Sequence, residues 1–215
     1  MTAADAGTAV IVFARAPTPG AVKTRLIPLL GAEGAAELHA RLLKRTLTTA
    51  HAATFRQIEL HGAPGIDDPF FRCCAGHFAV ALLAQASGDL GARMFAAFES
   101  ALAVHRRVLL MGSDCPALTA EHLRKADHSL RDGADAVLVP CEDGGYALIG
   151  LARVDARLFD GVPWGGETVM AETRARLREL GWRWCELETL WDVDRPEDYE
   201  RLVASGLLDN RRALA

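Results

Sequence analysis

Short, continuously apolar runs separated by helix-length amphipathic stretches constrain this chain more than any other feature. Residues 8–14 (Thr-Ala-Val-Ile-Val-Phe-Ala) and 107–111 (Arg-Val-Leu-Leu-Met) show no polar alternation. Each therefore reads as a strand buried on both faces, as in a parallel sheet covered by helices. Further strands are expected at 56–60, 78–83, 136–140, 147–151 and 182–187. Helices are expected at about 32–53, where Leu38, Leu42, Leu43 and Leu47 line one face, and at 92–104, where Met94, Phe95, Phe98 and Leu102 do. Three more fall at about 119–130, 167–180 and 196–204, the first with Thr119 as its N-cap. Residues 62–76 read as an irregular connection and 209–215 as a frayed tail. The strand pair flanking the turn at 141–146 breaks strict alternation and suggests a mixed sheet edge. The expected fold is a three-layer α/β/α sandwich with a mostly parallel mixed sheet.

With 215 residues, half of them hydrophobic, the chain is long enough for one domain with a sizeable core, expected over about 8–205. No repeat or low-complexity linker argues for a second domain. A quarter of the residues are charged and the net charge is -4, with no basic block or arginine stripe, so nucleic acid is not an expected partner. No stretch reaches the roughly 20 apolar residues of a membrane span. Residues 1–7 lack the basic and apolar regions of a signal peptide, and a cytoplasmic location is expected. Five cysteines without C-x-x-C spacing fit a reducing compartment, with Cys115, Cys141 and Cys185 as small core hydrophobes. The seven histidines show no ligand spacing and read as solvated or capping residues. The sequence does not address the oligomeric state.

Chemistry is expected at the carboxyl ends of the strands, where open α/β sheets bind ligands. The run at 107–111 stops at Gly112 and delivers Asp114, either a metal or hydroxyl ligand or a turn and cap residue. Asp192 and Asp194 lie two apart after another apolar strand. One of them could share a Mg²⁺ with Asp114, although Asp194 also suits entry into the helix beginning near Pro196. After the first strand, Pro17, Pro19 and Gly20 shape a loop carrying Lys23 and Arg25, where backbone amides and two cations can meet a diphosphate or simply face water. It is not a Walker A loop, because Val22 stands where that motif needs Gly, and no G-x-G-x-x-G occurs. Glu142 and Asp143 precede Gly144-Gly145, either a ligand approach or a plain hairpin turn. Ser113 lacks the G-x-S-x-G context of a hydrolase nucleophile.

Five segments in order carry a family resemblance: 13–26 (Phe-Ala-Arg-Ala-Pro-Thr-Pro-Gly-Ala-Val-Lys-Thr-Arg-Leu), 88–94 (Gly-Asp-Leu-Gly-Ala-Arg-Met), 112–116 (Gly-Ser-Asp-Cys-Pro), 142–146 (Glu-Asp-Gly-Gly-Tyr) and 192–198 (Asp-Val-Asp-Arg-Pro-Glu-Asp). From about Val10 to Leu202 the chain resembles the bacterial GT-A-like glycosyltransferase family long carried as a domain of unknown function and linked by genome context to arsenosugar biosynthesis. It is also similar to 2-phospho-lactate guanylyltransferase and, more remotely, to sugar-nucleotide and molybdenum-cofactor nucleotidyltransferases. The resemblance implies a nucleotide-diphospho-sugar transferase fold with Mg²⁺ or Mn²⁺, a nucleotide-activated donor and a small-molecule acceptor. It implies phosphate contacts from Arg15, Gly20, Lys23 and Arg25, nucleoside contacts from Gln85, Gly88, Asp89 and Arg93, and metal ligation by Asp114 with Asp194 or Asp192. Acceptor contacts fall to Glu142, Asp143, Gly144, Gly145, Tyr146 and Trp164, with Lys23, Asp114 and Asp143 as the catalytic set. Glycosyl transfer is the leading reading. Nucleotidyl transfer with release of pyrophosphate is the alternative, and a non-catalytic nucleotide-binding protein the third. Two departures stand out: Arg195 occupies a position often held by Thr before Pro-Glu-Asp, and Ser113-Asp114-Cys115 lacks the Asp-x-Asp pair of many GT-A glycosyltransferases.

Overall fold

The computed structural model describes residues 7–208; the tail expected at 209–215 lies outside the described residues. Seven strands, β1 (Thr8–Arg15), β2 (Gln57–Ala63), β3 (Ala81–Ala84), β4 (Arg107–Met111), β5 (Ala136–Pro140), β6 (Tyr146–Leu151) and β7 (Trp184–Glu186), form one sheet in the order β3-β2-β1-β4-β6-β5-β7. Only β6 runs antiparallel to its neighbours, β4 and β5. Six α-helices among the described residues, α1 (Ile27–Ala52), α2 (Pro69–Phe78), α3 (Leu90–Leu102), α4 (Ala120–Arg131), α5 (Val169–Glu179) and α6 (Pro196–Ser205), accompany the sheet. The expected α/β/α sandwich with a mostly parallel mixed sheet is the observed fold.

Alternation along β1 shows why. Val10 and Val12 join Leu43 and Leu47 of α1 and Leu123 of α4 in one core cluster, while Ile11 and Phe13 join Met94 and Phe98 of α3 and Leu177 of α5 in another. Successive side chains of a strand point to opposite faces, so a strand apolar at every position must be covered on both. A third cluster ties Leu38 and Leu42 of α1 to Val193 and to Leu202 of α6. No helix among the described residues is long and apolar enough to cross a membrane.

Three expectations are corrected. Part of the connection read at 62–76 is α2: Asp68 accepts from Phe70 N at 2.8 Å as its N-cap and Pro69 opens the first turn. Phe71, Cys74 and Phe78 form its buried face, so Phe78 closes a helix and does not begin a strand. Left-handed Ala79 (φ 50°) ends α2, and β3 keeps four residues at the sheet edge. The antiparallel strand is not at an edge either. Five of the six β6 residues are buried, which an interior position between β4 and β5 satisfies.

From β1 the chain winds one way through β2 to β3, then crosses to β4 on the other side of β1. The crevice at the carboxyl ends of β1 and β4 is therefore the topological switch point where this architecture binds ligands. The loop with Lys23 leaves β1 and the turn with Asp114 leaves β4, so topology alone brings both to that crevice.

Candidate active site

In the loop after β1, Gly20 (φ 81°) makes a turn that few other residues accept, and Val22 is buried as an anchor. Lys23 itself is left-handed (φ 47°), uncommon outside glycine, and the backbone turn directs its side chain inward. That side chain is 4% exposed, and its Nζ sits 2.9 Å from Asp114 Oδ2, whose side chain is 45% exposed. Arg25 stays outside, 64% exposed, paired with Asp194. Arg15 is exposed at the end of β1.

His39 reaches the same carboxylate from α1. It is buried, places Nε2 3.0 Å from the Arg15 carbonyl, and holds Nδ1 3.8 Å from Asp114 Oδ1. Burial depresses the His39 pKa against the opposing pull of Asp114. For Asp114, desolvation raises the pKa, but Lys23 and His39 more than offset it and leave the carboxyl below its ordinary value. The reading of all histidines as solvated or capping is thus corrected for His39 and for His61, which is also buried, while His122 does cap α4 through Thr119. A signal was present, because Leu42 and Leu43 follow His39 at helical spacing.

Asp114 opens into a cleft of about 310 Å³ whose lining includes Leu90, Met94, Tyr146, Trp164 and Val169 together with Asp143, Asp192, Cys115 and Cys141. Tyr146 and Trp164 meet edge to face at 6.5 Å, and burial raises the Tyr146 pKa. Gly144 (φ 88°) is held so close to the following loop that a Cβ there would lie 2.1 Å from the Glu167 carbonyl oxygen. Gly145 N donates to Asp143 Oδ1 at 2.9 Å, fixing that carboxylate on the cleft wall. Glu142 turns away into a two-point ion pair with Arg201 of α6 at 2.8 and 3.2 Å. Of the two acids, only Asp143 lines this cleft.

The 192–194 segment is tied in by Val193 N, which donates to the Asp114 carbonyl at 3.0 Å. Arg195 supplies no side-chain cap to α6; Asp198 Oδ2 instead accepts from Asp194 N at 3.0 Å and Arg195 N at 2.7 Å. Asp192 shares the cleft with Asp114 and Asp143, while Asp194 and Arg25 line an adjoining one. Burial first, then the neighbouring charges of Asp143 and Asp114, push the Asp192 pKa up to about 6.

A carboxyl whose folded pKa lies above its unfolded value stabilises the fold at low pH and loses that contribution as pH rises. For Asp192 the loss falls between about pH 4 and pH 6. Asp192→Asn is therefore expected to melt higher than wild type at pH 7.5 without added cation, with the difference shrinking toward pH 4. Equal melting differences at both pH values in calorimetry would refute this crowding of charge.

The loop after β3 is committed largely to itself. Gln85 Nε2 donates to the carbonyls of Ala14 at 3.1 Å and His61 at 2.8 Å, and its Oε1 accepts from Arg93 Nη1 at 2.9 Å. Asp89 caps α3 by accepting from Ala92 N, and Gly88 is left-handed and exposed. Of the side chains expected to touch a nucleoside, Gln85 thus ties the ends of β1 and β2 together, Arg93 holds Gln85, and Asp89 caps α3.

Among the described residues, no group of three or more His, Cys, Asp or Glu side chains converges to hold a metal ion. The donor set still suits a hard cation. Mg²⁺ typically uses one or two carboxylates and completes its shell with water and substrate phosphates, and a cation would relieve the repulsion raising the Asp192 pKa.

Solved transferase structures share this fold. A protein from Desulfovibrio desulfuricans G20 inferred to be a nucleotide-diphospho-sugar transferase superposes with a TM-score of 0.84 at 30% identity, covering 99% of this chain and 90% of that one. Two more distant structures share the fold. One is a nucleotidyl transferase from Methanothermobacter thermautotroptrophicus (TM-score 0.66, 17% identity, 95% and 99% covered). The other is glucosyl-3-phosphoglycerate synthase from Mycobacterium tuberculosis with Mn²⁺, uridine diphosphate and glucosyl-3-phosphoglycerate (TM-score 0.57, 10% identity, 95% and 78% covered). The fold is that of the nucleotide-diphospho-sugar transferases. The chain belongs to the family described as "Uncharacterized protein conserved in bacteria (DUF2064)", which matches residues 46–166. No curated protein matches the sequence.

Proposed function

We propose that this protein is a metal-assisted transferase using a nucleotide-activated donor, and that it moves a glycosyl group from a nucleotide-diphospho-sugar to a small acceptor. The observation that carries this reading is the buried Lys23 paired with Asp114 at the switch point, with Asp143 on the wall of the same cleft. The named activities of the Desulfovibrio and Mycobacterium proteins, and the Mn²⁺ bound by the latter, support it.

Asp114, with Asp192 on the same cleft or Asp194 on the next, would hold Mg²⁺ or Mn²⁺. When bound, the cation would neutralise diphosphate charge as the donor bond breaks. Lys23, Arg25, Arg15 and the amides around Gly20 would bind the diphosphate, and the 85–93 loop would take the nucleoside. Tyr146, Trp164, Gly144 and Gly145 would shape the acceptor subsite. Asp143 would take the proton of an acceptor hydroxyl, while Glu142, held by Arg201, keeps the turn on α6.

Nucleotidyl transfer is the second reading, favoured by Gly112 standing where an Asp-x-Asp pair would put its first carboxylate and by the Methanothermobacter neighbour. Incubation with nucleotide sugars or with nucleoside triphosphates plus Mg²⁺ separates the two: nucleoside diphosphate release supports glycosyl transfer, and pyrophosphate release supports nucleotidyl transfer. Neither product, with a full panel of donors and acceptors, refutes both.

Lys23→Ala is expected to weaken nucleoside diphosphate binding roughly tenfold or more while leaving bare nucleoside binding nearly unchanged, because charge-assisted bonds to phosphate contribute about 1.5 to 3 kcal/mol. Exposed and already paired with Asp194, Arg25 should give a smaller loss as Arg25→Ala. Equal losses for nucleoside and diphosphate in calorimetry would show that the loop shapes the pocket without reading phosphate.

A further inference from the structure

Lys23 and His39 flank one carboxylate from different elements: Lys23 Nζ lies 2.9 Å from Asp114 Oδ2, and His39 Nδ1 lies 3.8 Å from Oδ1. His39 Nε2 faces the Arg15 carbonyl at 3.0 Å. A carbonyl only accepts, so in the neutral ring Nε2 carries the proton and Nδ1 the lone pair. That lone pair has no hydrogen-bond partner, in a residue 4% exposed. Trp164 Nε1 and Arg176 Nε, the other buried side-chain atoms in that condition among the described residues, are donors. His39 Nδ1 is therefore the one unused buried side-chain acceptor among them, and an unused buried acceptor is unfavourable.

A cation that occupies Asp114 takes Lys23's partner away, and an ammonium on a side chain 4% exposed is strongly destabilising when left unpaired. We propose that His39 is a positioning residue whose Nδ1 is the second acceptor for the Lys23 ammonium. Lys23 turns from Asp114 Oδ2 to His39 when Asp114 engages a divalent cation. Meanwhile Nε2–H keeps the Arg15 carbonyl, and with it the cationic loop, in place. The inference rests on the reading of Asp114 as a cation ligand. Because both groups flank the same carboxylate, the exchange would keep the ammonium near Asp114, ready for an arriving phosphate.

Calorimetric titration with Mn²⁺ alone tests this in wild type, His39→Gln, Lys23→Met and the double variant. Gln keeps an N–H for the Arg15 carbonyl and removes the acceptor from the Nδ1 position. His39→Gln is expected to melt within a few degrees of wild type and to bind Mn²⁺ roughly tenfold or more weaker. In the Lys23→Met background the same substitution is expected to change Mn²⁺ affinity by less than about twofold, because no ammonium remains to be accepted. His39→Asn, which retains an acceptor near Nδ1, is expected to bind Mn²⁺ within about threefold of wild type, and it tests the proposal even if the Gln variant does not fold. Weakening of equal size in both Lys23 backgrounds, wild-type affinity in His39→Gln, or a large loss in His39→Asn overturns it. Absence of Mn²⁺ binding by wild type, or binding indifferent to Asp114→Asn, overturns the reading of Asp114 and this inference with it.

Discussion

Asp114→Ala is expected to lose turnover by roughly a hundredfold or more, the scale on which metal-site and charge-stabilising groups act, and to melt lower as well. The sequence alone points to a purely functional loss, because an Asp beyond a strand end has no packing role. Lys23 changes that. Its ammonium, on a side chain 4% exposed, has Asp114 as its ion-pair partner. Removing the carboxylate leaves this ammonium at best a neutral acceptor, His39 Nδ1, in place of a charged one, a cost of about 1 to 3 kcal/mol once the partial exposure of Asp114 is allowed for. In a chain of this size that is about 2 to 4 °C of melting temperature per kcal/mol. The stability loss should be recovered in Lys23→Met/Asp114→Ala, while activity should not. Calorimetry and turnover of the two variants decide it: full activity in Asp114→Ala removes this residue from the mechanism, and an unchanged melting temperature shows that Lys23 finds another partner at no cost.

The two effects expected of Asp114→Ala mark where sequence stopped being informative. Strand-end position and an acidic side chain are visible in the order of residues, and so is the first loop with its two prolines and Gly20. Which way a side chain turns is not. Lys23 is buried because the chain is left-handed there, a conformation that nothing about a lysine announces. Arg25, two residues on, pairs outside with Asp194. The acid pairs show the same limit. Asp192 and Asp194 are equivalent by spacing, yet only Asp192 shares the cleft with Asp114, and Glu142 and Asp143 are separated by an arginine 59 residues away in sequence. The strands of the central sheet were legible because full burial writes itself into continuous apolar runs. The helix at Pro69–Phe78 was missed because its capping Asp-Pro pair also reads as a turn.

Asp143→Asn is expected to slow glycosyl transfer by at least roughly a hundredfold, the lower end of general-base contributions, without altering donor affinity. Asn retains the oxygen that accepts from Gly145 N, so the turn that aims residue 143 into the cleft should persist. Only the basicity is lost, and an interaction confined to acceptor and transition state appears in the rate and not in donor binding. Nucleotidyl transfer predicts otherwise, because a phosphate acceptor needs no base. Measurement of kcat together with calorimetric donor affinity reads both: unchanged transfer removes Asp143 as base, and weakened donor binding with a normal maximal rate moves this turn to the nucleotide side.

The measurement that bears most directly on the whole account is calorimetric titration of wild-type and Asp114→Asn protein with uridine, guanosine, cytidine and adenosine diphosphates, with and without Mn²⁺, followed by melting of each mixture. The account predicts that at least one diphosphate binds wild type in a Mn²⁺-dependent way. At 100 times its dissociation constant that ligand should stabilise the fold by about 2.7 kcal/mol, and Asp114→Asn should abolish the effect. No binding by any diphosphate, or binding indifferent to both Mn²⁺ and Asp114→Asn, would contradict it.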